Sequence, residues 1–497
     1  MALPELIEIV PLDRPVRAEI TVPGSKSITN RALILAALAD GETILRGALW
    51  SEDTQIMVEC LQELGFMVNV ENDPNETCNR TITVYGNGGA VPRGGTEAQP
   101  LDLFVGNAGT AARFLAPFLC LGSGVYRLHG VARMHERPQT ALFSALRELG
   151  YRVEAEKGND KLPVRIFGRN RGNETQIKKE SQRLLTSSPT NKCRVSIEES
   201  SQFASALLLS SKVGGWKIEI VGENADESPY VAMTSKLMEV FPKNGGAFQI
   251  EPDASSGSYF WAAGQMELFD KRKVVLEYPG SGKRETTTYD SYPTVKVSKW
   301  PQSGWQIDQN YFNYFLSSET LTHDFALTHD GLTEAQILER KTTEPRTLEI
   351  SRSKDLGDSI MTAITFAPLL IMKYAVFTDL GRLRVQECER VVALRTELTK
   401  CGAKVVEESD TLTVWPSPLH GAEIETYNDH RMAMCFAILG LKVPGIKIKN
   451  PACVKKTFPN FFQKLAAQPP DGLGAEIWEI KDGWRTRQLS GDDLFAD

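Results

Sequence analysis

A helix that closes on glycine and runs straight into a β-rich stretch occurs three times in this chain: CLQELGFMVNV at 60–70, ALRELGYRVEA at 145–155 and ELTKCGAKVVE at 397–407. Each places leucines at helical spacing before the glycine and valines at alternating positions after it. That change of period, from 3.6 to 2, marks a helix-to-strand unit. Gly65, Gly150 and Gly402 are therefore expected just past the helix ends, in the left-handed backbone conformation that glycine tolerates best. A second pattern joins an Ala/Leu-rich helix to a strand, at 30–47, 203–222 and 432–450. The chain reads as α/β, with two such modules per larger repeat. No strict period holds, and helix–Gly–strand also occurs in α/β proteins that lack repeats. A length of 497 residues is about three times the common domain size, which fits two or more domains or one duplicated architecture.

Composition narrows the function classes. Hydrophobic residues at 41% and charged residues at 24% exclude disorder for the bulk of the chain. With 56 Lys and Arg against 63 Asp and Glu, the net charge of −7 offers no global basic field for nucleic acid or an anionic membrane. Anion binding must then be local. No apolar run approaches the ~18 residues of a membrane span, and the N-terminus MALPELIEIVPLDRP has no signal-peptide pattern. The eight cysteines are scattered without a CxxC pair, so they read as reduced thiols and the protein as cytoplasmic. Residues 270–350 break the α/β rhythm with a polar, aromatic, Thr/Ser-rich stretch and read as a diverged or inserted segment. Residues 468–497 read as a C-terminal tail.

Seven short motifs carry cations or small donors at loop-to-helix junctions. Pro23-Gly24-Ser25-Lys26-Ser27 follows a strand-like AEITV and precedes a helix, so free N–H groups, Lys26 and Arg31 converge where an anion would bind. A capped surface helix is the plain alternative, and a Walker A loop is excluded because serine stands before the lysine. Gly106-Asn107-Ala108-Gly109-Thr110 allows close backbone approach, with Thr110 placed to cap a helix, or is simply a tight turn. Arg137-Pro138 puts a cation at a helix start with Pro138 at its first position. Glu199-Ser200-Ser201-Gln202 supplies more donors than one cap requires. The Arg384–Arg390 run sets Glu387 and Arg390 at i, i+3, which an exposed salt bridge would also explain. Asn428-Asp429-His430-Arg431 and Lys455-Lys456-Thr457 each add a cation beside a turn. Zinc-type spacing, GxSxG and GxGxxG are absent from the sequence. A set of cations on separate loops suits a small, multiply anionic ligand held in a cleft.

In their order, these motifs resemble the 5-enolpyruvylshikimate-3-phosphate synthase family, especially its fungal forms. PGSKSITNRALILAALADGET, GNAGTAARFL, ERPQTALFSALRELG, SSQFASALLL, SPYVAMT, EPDASSGSYFWAA, RVQECERV, TYNDHRMAM and KKTFPNFF carry the likeness. The resemblance implies a two-domain inside-out α/β barrel of six βαβαββ repeats with its active site in the interdomain cleft. One domain would span 24–251, on the shikimate-phosphate side, and the other 1–23 with 252–467. It implies transfer of the enolpyruvyl group of phosphoenolpyruvate to the 5-hydroxyl of shikimate 3-phosphate, releasing phosphate, with no metal or organic cofactor. Lys26, Gly109, Arg137, Arg390, Arg431 and Lys456 would bind phosphoenolpyruvate. Ser27, Arg31, Ser200, Ser201, Gln202 and Tyr230 would bind shikimate 3-phosphate. Asp358 would accept the hydroxyl proton, and Glu387 or Lys26 would serve the methylene carbon.

Departures from the family pattern fall on one substrate's side. The family's lysine in RVKE is Gln386, its asparagine two residues before that motif's arginine is Arg382, and a serine three before Tyr230 aligns with Glu227. Asp358 lies in GDSIMT, after an SRSKDL that differs from the usual lead, and the family's Ser-Leu-Gln-Gly-Asp segment is missing. The leading expectation is a working synthase with rebuilt acceptor contacts. The alternatives are an enzyme of this fold acting on another acceptor or catalysing another reaction, and a domain kept for assembly or regulation.

Overall fold

The computed structural model describes residues 3–14, 16–169, 191–222, 228–265, 272–278, 282–288, 295–315, 347–370 and 372–496. Glu227 and much of the stretch at 270–350 lie outside the described residues. The chain divides into two compact units, Pro23–Glu251 and Met1–Val22 with Pro252–Asp497.

The first unit carries helices α1 (Lys26–Leu38), α2 (Glu52–Glu63), α3 (Gly109–Cys120), α4 (Thr140–Glu148), α5 (Ser201–Gly214) and α6 (Pro229–Val240). One of its four-stranded sheets orders Leu101–Phe104, Val125–His129, Val164–Phe167 and Val153–Ala155, the first pair parallel and the rest antiparallel. With α3 and α4 between its strands, this is a βαβαββ module. The other four-stranded sheet has the same pattern over Asp40–Leu49, Asn79–Asn87 and Val68–Asn72, but Gly246–Gln249, from the far end of the unit, supplies its parallel edge strand. The strand pair Lys192–Ser196 and Lys217–Val221 flanks α5.

The second unit adds α7 (Ala254–Gln265), α8 (Tyr311–Phe315), α9 (Ile360–Phe366), α10 (Arg390–Lys400), α11 (His430–Gly440) and α12 (Phe461–Ala466). Thr347–Ser351, Tyr374–Thr378, Thr411–Trp415 and Lys404–Glu408 repeat the order of the first unit's βαβαββ sheet, now with α9 and α10 as the helices. Its core gathers Tyr259, Phe260, Phe458 and Phe461 in tilted and edge-to-face contacts, and every residue of α11 is buried.

The three helix-terminating glycines take the conformation expected of them. Gly65, Gly150 and Gly402 have φ of +95°, +87° and +90°. At each, the next residue's N–H reaches back to a carbonyl five residues earlier: Phe66 to Leu61, Tyr151 to Leu146, Ala403 to Leu398. This is one C-terminal cap made three times, and it turns the chain into the corresponding antiparallel strand of each sheet.

One expectation is corrected here. Residues 468–497 are not an appended tail: Ile477–Lys481 pairs antiparallel with Leu6–Ile9 in a five-stranded sheet that Trp484–Gln488 closes, and Ile477, Leu489 and Leu494 are buried. The acidic, Pro/Gly-rich flanks hide a short alternating strand whose partner lies at the other end of the chain. Within 270–350, read above as diverged or inserted, Val295–Val297 pairs parallel with Ala18–Ile20 and Tyr311 is fully buried. Among the described residues, no helix is long and apolar enough to cross a membrane.

Candidate active site

In the unit Pro23–Glu251 the singled-out residues sit at helix starts. Ser25 is the N-cap of α1 without a side-chain cap bond, and Gly24 approaches the backbone of Gly47 so closely that a Cβ would fall 1.9 Å from its carbonyl oxygen. Only glycine permits that approach. Lys26, first in α1, places its Nζ 3.2 Å from Asp53 Oδ2 on α2, and Asp53 is buried. One turn on, Arg31 is 2% exposed and, among the described residues, bonds only to neutral acceptors: Thr234 Oγ1 at 2.7 Å, Ser27 O at 2.8 Å, Ser205 Oγ at 3.1 Å and Tyr230 O at 3.4 Å. Its guanidinium also lies over the Phe114 ring. No carboxylate is within salt-bridge distance of it among the described residues, and burial pulls its pKa down to about 10. A buried cation without a counter-charge is expensive, which makes it a strong attractor for an anion.

Two further groups complete this unit's set. Ser200 caps α5 by accepting from Gln202 N, while the Gln202 amide bridges Arg113 Nη1 at 2.6 Å and Thr110 Oγ1 at 3.2 Å. Ser201, first in α5, is buried. At the start of α3, Arg137 packs against Gly109 so tightly that a Cβ there would come within 2.6 Å of Nη1. The buried Oδ1 of Asn107 and both amide atoms of Gln139, which is 1% exposed, have no partner among the described residues. Two local expectations fail. Thr110 binds Gln202 rather than capping α3, whose N-cap is Ala108, and Pro138 precedes the N-cap Gln139 instead of opening α4.

In the other unit the candidates form a buried ion network. Arg390, 1% exposed at the start of α10, donates from Nε to Asp429 Oδ2 at 2.6 Å, and its Nη2 forms an ion pair with Glu387 Oε2 at 2.8 Å. Its Nη1 also donates to Gln386 Oε1. The exposed i, i+3 pair is thereby excluded. Glu387 Oε1 meets Lys456 Nζ at 3.1 Å, so one carboxylate lies between two cations. Asp358 lies among three: Arg352 Nη2 at 2.7 Å, Arg431 Nη2 at 3.2 Å and Arg390 Nη1 at 4.0 Å. Burial alone would raise its pKa, but the guanidiniums of Arg431, Arg352 and Arg390 overcome this and hold the carboxyl well below the usual range. Arg431 in turn reaches Ser255 Oγ and the Tyr259 hydroxyl on α7.

Sequence reasoning missed the partners that orient these cations. Asp429 caps α11 by accepting from Arg431 N at 2.9 Å and holds Arg390 with both oxygens, so one buried carboxylate sets two arginines. Its place before the helix was the available signal. Asp53 and Arg352 had none, because each meets its partner only in three dimensions. The structure gathers Lys26 with Asp53, Arg31 with Tyr230 and Ser27, Gly109 with Arg137, and Asp358 with Glu387, Arg390, Arg431 and Lys456.

The repeated βαβαββ sheets and cation-bearing helix starts define an α/β protein of the enolpyruvyl transferase fold. An EPSP synthase from Acinetobacter baumannii superposes with a TM-score of 0.61 at 19% identity, over 95% of this chain and all of that one. The enolpyruvyl transferase NikO from Streptomyces tendae gives 0.57 at 14% identity, over 95% of this chain and 98% of that one. The family model for EPSP synthase (3-phosphoshikimate 1-carboxyvinyltransferase) matches residues 12–244 and 329–465. A 3-phosphoshikimate 1-carboxyvinyltransferase of Trichormus variabilis is 33% identical over 481 residues, covering 93% of this chain and 98% of its own. The one from Opitutus terrae is 34% identical over 496 residues, with 94% and 98% covered. The chain belongs to the EPSP synthase family and is, with it, a transferase. These relatives are bacterial and lend no support to a specifically fungal likeness.

Proposed function

We propose that this protein transfers the enolpyruvyl group of phosphoenolpyruvate to the 5-hydroxyl of shikimate 3-phosphate and releases phosphate. The observation that carries the reading is the arrangement around Glu387 and Asp358: two carboxylates whose charge is balanced by Arg390, Arg431, Lys456 and Arg352 in a buried network. An anionic substrate competes for those same cations. As its carboxylate and phosphate draw Arg390, Arg431 and Lys456 toward themselves, Asp358 and Glu387 lose countercharge and gain proton affinity. Binding thereby frees both carboxylates from their internal partners for proton transfer.

On this reading Lys26, Gly109, Arg137, Arg390, Arg431 and Lys456 hold phosphoenolpyruvate, with Gly109 small enough to leave Arg137 against the backbone. Ser27, Arg31, Ser200, Ser201, Gln202 and Tyr230 hold shikimate 3-phosphate, its phosphate bringing negative charge to Arg31, which has no carboxylate partner among the described residues. Glu387 or Lys26 delivers a proton to the methylene carbon, and Asp358 takes one from the hydroxyl as its oxygen attacks the adjacent carbon. The tetrahedral ketal phosphate then loses a methyl proton and expels phosphate, regenerating the double bond in the product. Preorganised cations stabilise charge moving from carboxylate and phosphate through that intermediate. The reading implies small anionic substrates, not nucleic acid, and a cytoplasmic enzyme, in keeping with eight free cysteines.

A second acceptor is the alternative, favoured by Gln386, whose neutral amide accepts from Arg390 where the family pattern has a cation. Phosphate release and product mass with both substrates decide between the two. Product at an ordinary enzymatic rate, above about 1 s⁻¹, supports the synthase. If a folded, phosphoenolpyruvate-binding protein makes none and Gln386→Lys restores it, the acceptor is different.

A further inference from the structure

We propose that Asp308 is a positioning residue for Asp358: its buried carboxylate holds the turn that presents Asp358 and sets the charge beside it. The inference rests on the reading of Asp358 as the group that takes the hydroxyl proton. Asp308 lies in a short 3-10 turn, Ile307–Asn310, within 245–328, between the two segments that the family model matches.

Three side chains of this stretch grip the backbone on which the site is built. Asp308 Oδ1 accepts from Ser359 N at 2.6 Å. Asn310 Nδ2 donates to Asp355 O at 3.3 Å. Gln306 Oε1 accepts from Ala254 N at 3.0 Å while its Nε2 donates to Pro252 O at 2.8 Å, fixing the start of α7, from which Ser255 and Tyr259 reach Arg431. The fit is close: a Cβ on Gly357 would stand 2.7 Å from Asp308 Oδ2 and 2.8 Å from Ile307 Cγ2. Glycine at 357 lets the carboxylate press directly against the turn that carries Asp358.

The charges facing Asp308 are Asp358, from the turn before α9, and Arg431, from α11. Burial and repulsion by Asp358 raise the Asp308 carboxyl to about 6, against the pull of the Ser359 N–H and Arg431. At neutral pH Asp308 is ionised, and its charge opposes the three guanidiniums that weaken Asp358 as a base. Below pH 6 it is protonated, and that support disappears.

Asp308→Asn keeps an oxygen for Ser359 N and removes the charge, whereas Asp308→Ala removes both. Steady-state kinetics of the full-length enzyme with both substrates from pH 5 to 9 should show kcat of Asp308→Asn about 3- to 10-fold below wild type at pH 8 and level with it at pH 5. KM for each substrate should stay within about twofold. Asp308→Ala should be impaired at every pH. Coincident wild-type and Asp308→Asn profiles overturn the proposal and leave a structural cap. Thermal unfolding supplies a readout free of turnover. A folded-state pKa raised from 3.8 to about 6 contributes stability that is full below pH 4 and lost as pH rises through 6. Asp308→Asn should abolish that step, and in the Asp358→Asn background it should move to lower pH, because the repelling charge is gone. Should wild type make no product, the proposed reaction falls. The unfolding series then decides the coupling: a step that moves with Asp358→Asn upholds it, and one that is absent or unmoved overturns it.

Discussion

Lys26 shows how much a single side chain carries here. It is the first residue of a helix, its ammonium rests 3.2 Å from a buried carboxylate, and it belongs to both the binding and the proton-transfer sets proposed above. Lys26→Ala should lower turnover by at least about 100-fold, the typical cost of removing a preorganised charge from a transition state. It should shift the melting temperature by only a few degrees, because the lysine is partly exposed and water can reach the Asp53 carboxylate it leaves behind. Near-normal turnover would remove Lys26 from the site. The cations were legible in sequence because each precedes a helix or turn, where its charge demands an anion. Their partners were not. Arg390 and Asp429 are 39 residues apart, and Arg31 and Thr234 are 203 apart. Gln306-Ile307-Asp308 differs by one residue from the Gln-Gly-Asp of the family's Ser-Leu-Gln-Gly-Asp segment.

Helix ends were the most readable elements. A glycine at a period switch implies a left-handed cap, and all three such glycines adopt one, because the cap depends only on local backbone sterics and on carbonyls within the same turn. The three are unequal in surroundings. At Gly65 an added Cβ would meet nothing nearer than 3.9 Å, whereas at Gly402 it would come within 3.0 Å of His420 Cδ2. Gly65→Ala should therefore cost about 1 kcal/mol, the backbone penalty alone. Gly402→Ala should cost measurably more, as the urea midpoints of the two variants would show. Helix starts were read less well. Thr110 and Pro138 have the right chemistry for a cap and a first position, but a hydroxyl that finds a bridging amide and a proline one step too early serve other ends.

Across the molecule, the unit formed by Met1–Val22 and Pro252–Asp497 depends on chain ends that meet. Strand Leu6–Ile9 lies between Lys447–Lys449 and Ile477–Lys481, with Ile7 and Ile9 fully buried. A protein ending at Ala467 should expose that strand's edge and lose the burial of Ile477, Leu489 and Leu494. Its melting temperature should fall by roughly 5–10 °C or more. An unchanged transition would show that the C-terminal strands are dispensable.

The sequence by itself determined the α/β class, the caps at Gly65, Gly150 and Gly402, and the positions of the cations proposed to bind anions, Lys26, Arg31, Arg137, Arg390, Arg431 and Lys456. Those properties follow from periodicity, from backbone sterics and from charge at a helix start, all of which act within one turn of chain. Only the tertiary structure decided that Asp429 orients two arginines, that Asp358 sits among three guanidiniums, that Asp308 braces the turn beside it, and that the last strands complete a sheet begun at residue 6. Ion pairing and burial act over a few ångströms of space, and contacts between residues tens or hundreds of positions apart leave no local pattern to read.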